Sequence, residues 1–465
     1  MLLSKGAQII DTSAQPALRN GPLLREIIWL SLPILAENVL HMAVGLNDTY
    51  LASHLPTHSA AATAAIGSIT YVLWLLGLIA GAIGTGSTAI IARAVGGKHQ
   101  RLANSVCGQS ITVAVVCGAI FAAIIVVLAV PLTRLTGLSA ESYQYALYYL
   151  RVLSLSVPFM VLMLAANACL RGAGDSLTPA IAMIVVDVVN MFFSFALTRG
   201  WFGLPTMGFR GIAIGTVIAY VSGGVIQFCV LVKGRGGLRL YLHRLRPHWD
   251  TMRRVLRIGI PSAAENLLTW IAQFSIVIII NKLDRTNVMA AAHIITVRIE
   301  SLSYMSGLAV AMAAATVVGQ SLGMRDPRRA ARAAHLAYLI GGGGMSLVGG
   351  CFILFRHQLA HALTNDPQIM SLTATCLFIT AFAQPGFACS LIYAGALRGA
   401  GDTFVVMIVN LASIICLRLA SVVVVTLGLG YGLPAVWMVL ASELTLRGLF
   451  VLGRFLHGGW MHVQV

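Results

Sequence analysis

"LRGAGD" stands at residues 170–175 and again at 397–402, an offset of 227. Two further matches keep that spacing. "PILAENVL" at 33–40 is answered by "PSAAENLL" at 261–268, an offset of 228. "IARAVGGKHQRLA" at 91–103 resembles "VVGQSLGMRDPRRA" at 317–330, with Gly96 answering Gly323 at 227. One small insertion or deletion reconciles the offsets. The chain therefore reads as two homologous halves.

Composition says what the halves are made of. Hydrophobic residues form 58% of the 465 and charged residues 10%, where a soluble domain carries about 25% charged residues. Mean hydropathy is +0.87. Apolar stretches of about 20 residues cross a bilayer as helices. Reading from breaker to breaker predicts spans at 27–54, 63–92, 105–134, 146–170, 176–199 and 211–232, then 255–282, 288–321, 331–355, 369–397, 403–427 and 432–456. The expected fold is an all-α integral membrane protein of twelve helices in two pseudo-symmetric six-helix lobes. The predicted organisation is an N-terminal segment 1–26, an N-lobe 27–232, a linker 233–253, a C-lobe 254–457 and a tail 458–465. Six spans per half is an even number, so both halves enter the membrane in the same sense. Two such lobes enclose a cleft, and rocking them gives alternating access.

The net charge of +16 is explained by topology without a nucleic-acid partner. Twenty-one Lys and Arg residues fall on the side of the termini and six on the other. That asymmetry predicts cytoplasmic termini. The segment 233–253 is basic and amphipathic, and reads as a linker lying on the lipid surface. The eight cysteines all fall in apolar spans without CxxC or metal spacing, as small buried hydrophobes do. The first 26 residues show no cleavable signal pattern. No catalytic or nucleotide motif is present, and GxxxxGK[ST] is absent. The chain is read as a non-enzyme with no cofactor and no metal.

Six acids fall inside spans: Glu37, Asp48, Asp187, Glu265, Glu300 and Glu443. A charge at a helix centre costs roughly 2.5–3.5 kcal/mol on insertion scales. Hydrocarbon surroundings favour the neutral acid, so such groups suit proton exchange. Glu37 and Asp48, eleven residues apart, differ by only about 20° around a helix. His41 lies on that face too, so the three form one polar stripe facing a cavity or the protein interior. On the fifth span Asp187, Asn190 and Ser194 share a face and can meet the stripe. The coupling set read here is Asp48, Glu37, Asn190 and Asp187, with His41, Ser194, Glu265, Glu300 and Tyr304 as secondary cavity positions. Glu265 is the repeat mate of Glu37, whereas the mate of Asp48 falls near Ile276. An acid duplicated with the scaffold reads as structural, and Asp48 is the stronger coupling candidate. Glu443 and Arg447 are spaced for an intrahelical ion pair, and Arg418 is placed to neutralise an acid across the second lobe. The LRGAGD segments are read as structural loops (Arg171, Gly172, Gly174, Asp175; Arg398, Gly399, Gly401, Asp402), with tight Gly turns and an Asp capping the next helix.

Taken together, "NDTYLASHL" (47–55), "ARAVGG" (92–97), "LRGAGDSLTP" (170–179), the long stretch 291–330, "LRGAGDT" (397–403) and the closing "GGW" (458–460) resemble the multidrug and toxic compound extrusion (MATE) transporters, most of all their DinF-like bacterial branch. The resemblance implies a bacterial inner-membrane location, a V-shaped central cavity and export of amphipathic, often cationic organic compounds in exchange for H⁺ or Na⁺. It places the family's first-helix aspartate on Asp48 and its fifth-helix asparagine on Asn190. Some relatives carry an acid where Ser194 stands. The seventh-helix glutamate of Na⁺-binding relatives falls on Thr269, and the tenth span, 369–397, has no acid. The expectation is an antiporter, acting as a monomer, that takes small organic substrates and couples to H⁺ rather than Na⁺. The alternative is a lipid-linked saccharide flippase, which would need a strongly cationic cavity; the spans hold only Arg151, Arg298, Arg418 and Arg447.

Overall fold

A computed structural model describes residues 22–135, 138–284 and 286–463. Among these residues eleven helices are long and apolar enough to cross a membrane, and a bent pair makes the twelfth span. The first half runs Leu23–Ser53, Ser59–Gly96, Gln100–Leu135, the pair Ala140–Ser154 and Val157–Ala173, then Leu177–Arg199 and Phe209–Lys233. The second runs Trp249–Leu283, Val288–Gly323, Pro327–His361, Pro367–Gly399, Thr403–Gly428 and Leu433–Leu456. These are the first to twelfth spans below.

Local signals set several ends. Asp326 precedes Pro327, and its carboxylate accepts from the Arg329 amide at 2.8 Å. Asp366 before Pro367 accepts from Gln368 N at 2.8 Å. Proline fits the first helical turn, where an amide would lack a partner anyway.

The halves repeat their packing. In the first, the fourth span lies on the second, third and sixth, and the fifth lies on the first and sixth. In the second, the tenth lies on the eighth, ninth and twelfth, and the eleventh lies on the seventh and twelfth. Contacts between the halves follow the same symmetry, the second span meeting the seventh as the eighth meets the first. Polar bonds across this seam gather near the ends of Gly96 and Gly323: Thr316 Oγ1 donates to Arg171 O (3.1 Å), Gln320 Nε2 to Gly172 O (3.2 Å), and Arg329 Nη2 to Glu26 Oε2 (2.6 Å). Gly96 presses on the Gln320 peptide and Gly323 on the Arg93 peptide; a Cβ on either would come within 2.8 Å of Gln320 C or 2.9 Å of Arg93 C. Arg93 and Gln320 are themselves 227 apart, so one contact is made twice about the pseudo-twofold.

Several sequence-based boundaries shift. The fourth span is two helices bent by 56°, because Pro158 stands at the start of the second arm and the chain breaks just before it. Lys233 closes the sixth helix and Trp249 opens the seventh, so the connection between lobes is 234–248 instead of 233–253. It is strapped to the third span: Gln109 Nε2 donates to Arg244 O (2.8 Å) and Arg246 O (2.9 Å). The first helix begins at Leu23, not 27. The tail is no free end up to Val463, since Trp460 is fully buried and stacks on Phe455 at 4.8 Å. The eleventh span carries π-helical turns at Ser413–Leu419 and Val424–Gly428, which the apolar pattern does not reveal.

Candidate functional site

Asp48 is 2% exposed, deep between the first, fourth, fifth and sixth spans. Tyr149 Oη donates to its Oδ2 at 2.6 Å, Thr216 Oγ1 to the same oxygen at 2.7 Å, and Asn190 Nδ2 to Oδ1 at 3.3 Å. Asn190 is held in turn by Asn47, whose Nδ2 donates to its Oδ1 at 2.7 Å. Ser194 Oγ lies 3.4 Å from Asn190 Nδ2. Thr216 has one proton and two acceptors in reach, Asp48 Oδ2 and Ile212 O at 3.0 Å. An ionised Asp48 takes that proton as a hydrogen bond. A neutral Asp48 can donate its own O–H to Thr216, which then turns its proton to Ile212. The two protonation states fit one set of heavy-atom positions.

The expected stripe on the first span divides. Glu37 is not open to a cavity: Arg171 Nη1 donates to both its oxygens (2.8 and 2.9 Å) and Asn167 Nδ2 donates to Oε1 (2.8 Å). Gln227 braces Asn167 at 2.6 Å. Glu37 is thus held in a buried ion pair. Arg171 is likewise not a loop residue; it lies in the last turn of its helix and is 8% exposed. His41 is exposed and bonds neither acid, its ring 6.4 Å from that of Tyr220. Asp187 shares the face of Asn190, as its spacing requires, but does not join the Asp48 network; it is 8% exposed and both its oxygens lack a hydrogen-bond partner.

The second half repeats the ion pair and little else. Arg398 Nη2 and Asn410 Nδ2 both donate to Glu265 Oε1 at 2.5 Å. Glu265 stands 228 residues from Glu37 and Arg398 227 from Arg171, so the pair is duplicated with the halves, and Arg398 lies in the last turn of its helix instead of a loop. Thr269 Oγ1 donates to its own helix at Glu265 O (2.8 Å). Glu300 accepts from Thr380 Oγ1 at 2.6 Å. Tyr304 stacks on Phe387 at 5.9 Å. Glu443 is enclosed by Arg418 (2.6 Å), Arg447 (3.5 Å) and Ser413 (2.6 Å).

In the LRGAGD segments Gly174 and Gly401 take φ of +95° and +88°, the left-handed turn that favours glycine. Gly172 and Gly399 pack against the backbones of Thr88 and Ala315. Asp175 caps the fifth span through Thr178 N at 3.0 Å. Asp402 does not cap through its side chain, which instead takes Arg454 Nε at 2.9 Å and Nη2 at 2.8 Å.

Sequence reasoning missed Tyr149, Thr216 and Tyr220. The signal for two of them was available: Thr216 and Tyr220 are spaced i, i+4 on an apolar span and must share a face.

The MatE family model matches residues 33–196 and again 261–440, once per half. The chain is 30% identical to "Probable multidrug resistance protein NorM" of Thermotoga maritima over 94% of its own length and 93% of that relative. It is 27% identical to "Multidrug resistance protein PmpM" of Pseudomonas aeruginosa over 83% of the chain and 81% of the relative. A solved structure described as "Outward-facing conformation of a multidrug resistance MATE family transporter of the MOP superfamily" superimposes with a TM-score of 0.86 at 22% identity, over 96% of this chain and 98% of that one.

Proposed function

The chain belongs to the MATE family, and on that footing we propose that this multi-pass multidrug efflux transporter is an antiporter exchanging amphipathic organic cations for protons. The observation that carries the coupling is Asp48, an acid without a repeat mate, buried and hydrogen-bonded by a hydroxyl that can reverse its bond. A proton arriving there needs no rearrangement of its surroundings, yet it abolishes a negative charge in a low-dielectric lobe, where charges act strongly. Loss of that charge releases a cationic cargo. The seam at Gly96 and Gly323 lies on the side of the chain termini, which the basic residues assign to the cytoplasm. Its closure corresponds to a transporter sealed inward, with the cargo's exit on the other side. Tyr149 and Asn190 position the carboxylate.

Proton coupling rather than Na⁺ coupling is favoured because the tenth span offers Glu300 only the hydroxyl of Thr380 and no second acid. The decisive assay is dye efflux from everted vesicles under a pH gradient or a Na⁺ gradient, each imposed alone. A pH gradient should drive efflux, and Asp48→Asn should abolish it while the protein still folds. Full proton-driven efflux by Asp48→Asn, or drive by Na⁺ alone, would overturn the assignment.

A further inference from the structure

Of the six acids that the sequence reading places within spans, five have donors. Glu37 and Glu265 hold arginine and asparagine, Glu443 holds two arginines, Glu300 holds a threonine, and Asp48 holds three donors. Asp187 holds nothing: it is 8% exposed, and neither oxygen meets a donor. Burying an unpaired carboxylate is among the most expensive things a fold can do. The site is nevertheless built around it. Asp187 lies one helical turn from Asn190, which is fully buried. Tyr220 of the sixth span is 5% exposed; it stands one turn after Thr216, which donates to Asp48, and one turn before Gly223, which packs on Val186 next to Asp187. The His41 ring stands 6.4 Å from Tyr220 at 60° and is itself exposed. Beside them the fifth, fourth and sixth spans close up, a Cβ at Gly223 coming within 2.5 Å of Val186 and 2.7 Å of Met163. A carboxylate beside an aromatic ring is the recognition chemistry of an organic cation.

We propose that Asp187, with the Tyr220 ring, is the anchor for the cationic head of the exported compound, distinct from Asp48, where the coupling proton sits. This rests on the antiport reading above. It divides the two charges of the exchange between two carboxylates of one lobe. Cations on neighbouring carboxylates repel, so loading one favours release from the other. Exchange then follows from electrostatics within the lobe.

The test is equilibrium binding of rhodamine 6G, a cation, and of N-phenyl-1-naphthylamine, a neutral probe, to the purified full-length protein in detergent with no ion gradient. Asp187→Asn should weaken rhodamine 6G by about tenfold or more, as expected when a charge-assisted contact becomes a neutral one. It should leave the neutral probe unchanged, and Asp187→Glu should restore the cation. Thermal stability should not fall, since the amide loses no hydrogen bond. Tyr220→Leu is the second variant and should weaken the cation selectively. If Asp187→Asn binds rhodamine 6G within twofold of wild type, or loses both probes equally, the anchor is elsewhere. Binding of neither probe by wild type would instead refute the multidrug reading itself.

Discussion

The duplicated ion pair makes the sharpest prediction about what holds the lobes together. Glu37 and Arg171 have side-chain exposures of 9% and 10%, and the guanidinium spans both carboxylate oxygens. Removing one member of a buried pair costs about 3–5 kcal/mol, because the other charge is left without a counter-ion. Replacing both with apolar residues of similar volume is often neutral. The two single changes should also be unequal. Glu37→Gln strands an arginine that cannot shed its proton, whereas Arg171→Met strands a carboxylate that can take one up. Glu37→Gln should therefore be the most damaging of the three, Arg171→Met intermediate, and the double change Glu37→Met with Arg171→Met closest to wild type. In the second lobe Arg398 is 23% exposed, so water screens it more and Glu265→Gln should cost less than Glu37→Gln. A twelve-span chain is no two-state folder, so the measurement is the thermal midpoint and inactivation half-life in detergent. Proton-driven efflux should survive in the double variant, because the pair braces the lobe and carries no exchanged ion. Two results would refute this: a Glu37→Gln protein with a wild-type midpoint, or a stable double variant that has lost efflux.

Other consequences are open to direct measurement. Asp175→Ala removes the cap on the fifth span and should cost about 0.5–2 kcal/mol, read as a lowered thermal midpoint; the helix after Asp402 has no side-chain cap to lose, so the matching Asp402→Ala should act only through Arg454. Gly96→Ala and Gly323→Ala should each loosen the seam. In a background lacking the eight native cysteines, a cysteine at Thr316, now 1% exposed, should then react several-fold faster with an impermeant maleimide from the termini side; unchanged labelling would mean the seam has slack. Between the seventh and eighth spans, hydrogen bonds from Thr286 and the Met289 amide hold the Asp284 carboxyl below its usual range. A depressed folded value gives stability that is complete above the unfolded value and lost as pH falls through the folded one. The stability gap between wild type and Asp284→Asn should be present at neutral pH and vanish in strong acid.

How much of this was legible in the sequence depends on what each residue's neighbour was. Asp48 and Asn190 were found because each is polar in an apolar run, and burial of such a group demands a partner wherever the helix lies. The partner of Glu37 was missed although both halves of it were in view. Glu37 and Glu265 repeat at 228 and Arg171 and Arg398 at 227; an acid and a base duplicated together are candidates for each other. The Gly-rich surroundings of Arg171 drew it into a turn, whereas the helix continues through it and ends at Ala173. Asp175 and Asp402 sit in identical hexapeptides yet bond differently, because Thr178 follows the first and Arg454, contributed by the twelfth span, reaches the second. Local sequence does not encode a partner that is 52 residues away. The π-helical turn that holds Arg418 is invisible to an apolar pattern; that guanidinium's partners, Glu443 and Gln273, lie on other spans.

The two lobes are alike in packing and unlike in charge, and the difference has a direction. Every interior acid of the second lobe except Glu300 faces arginine: Glu265 faces Arg398, and Glu443 faces Arg418 and Arg447. In the first lobe Glu26 and Glu37 do so, and Asp48 and Asp187 have no cation against them. A duplicated scaffold began with equal halves, so neutralising pairs retained in both are what the packing requires. Acids in one half without a counter-charge are what the packing does not require, and a low-dielectric lobe keeps them only at a cost. A mobile cation is the partner that can compensate that cost intermittently. Cargo and proton should therefore compete within the first lobe while the second turns against it. Moving an arginine into that lobe tests the point: Thr216→Arg would supply Asp48 with a permanent counter-ion. It should leave the protein membrane-inserted and abolish exchange, and a Thr216→Arg protein that still couples efflux to a pH gradient would show that the uncompensated charge is not what drives it.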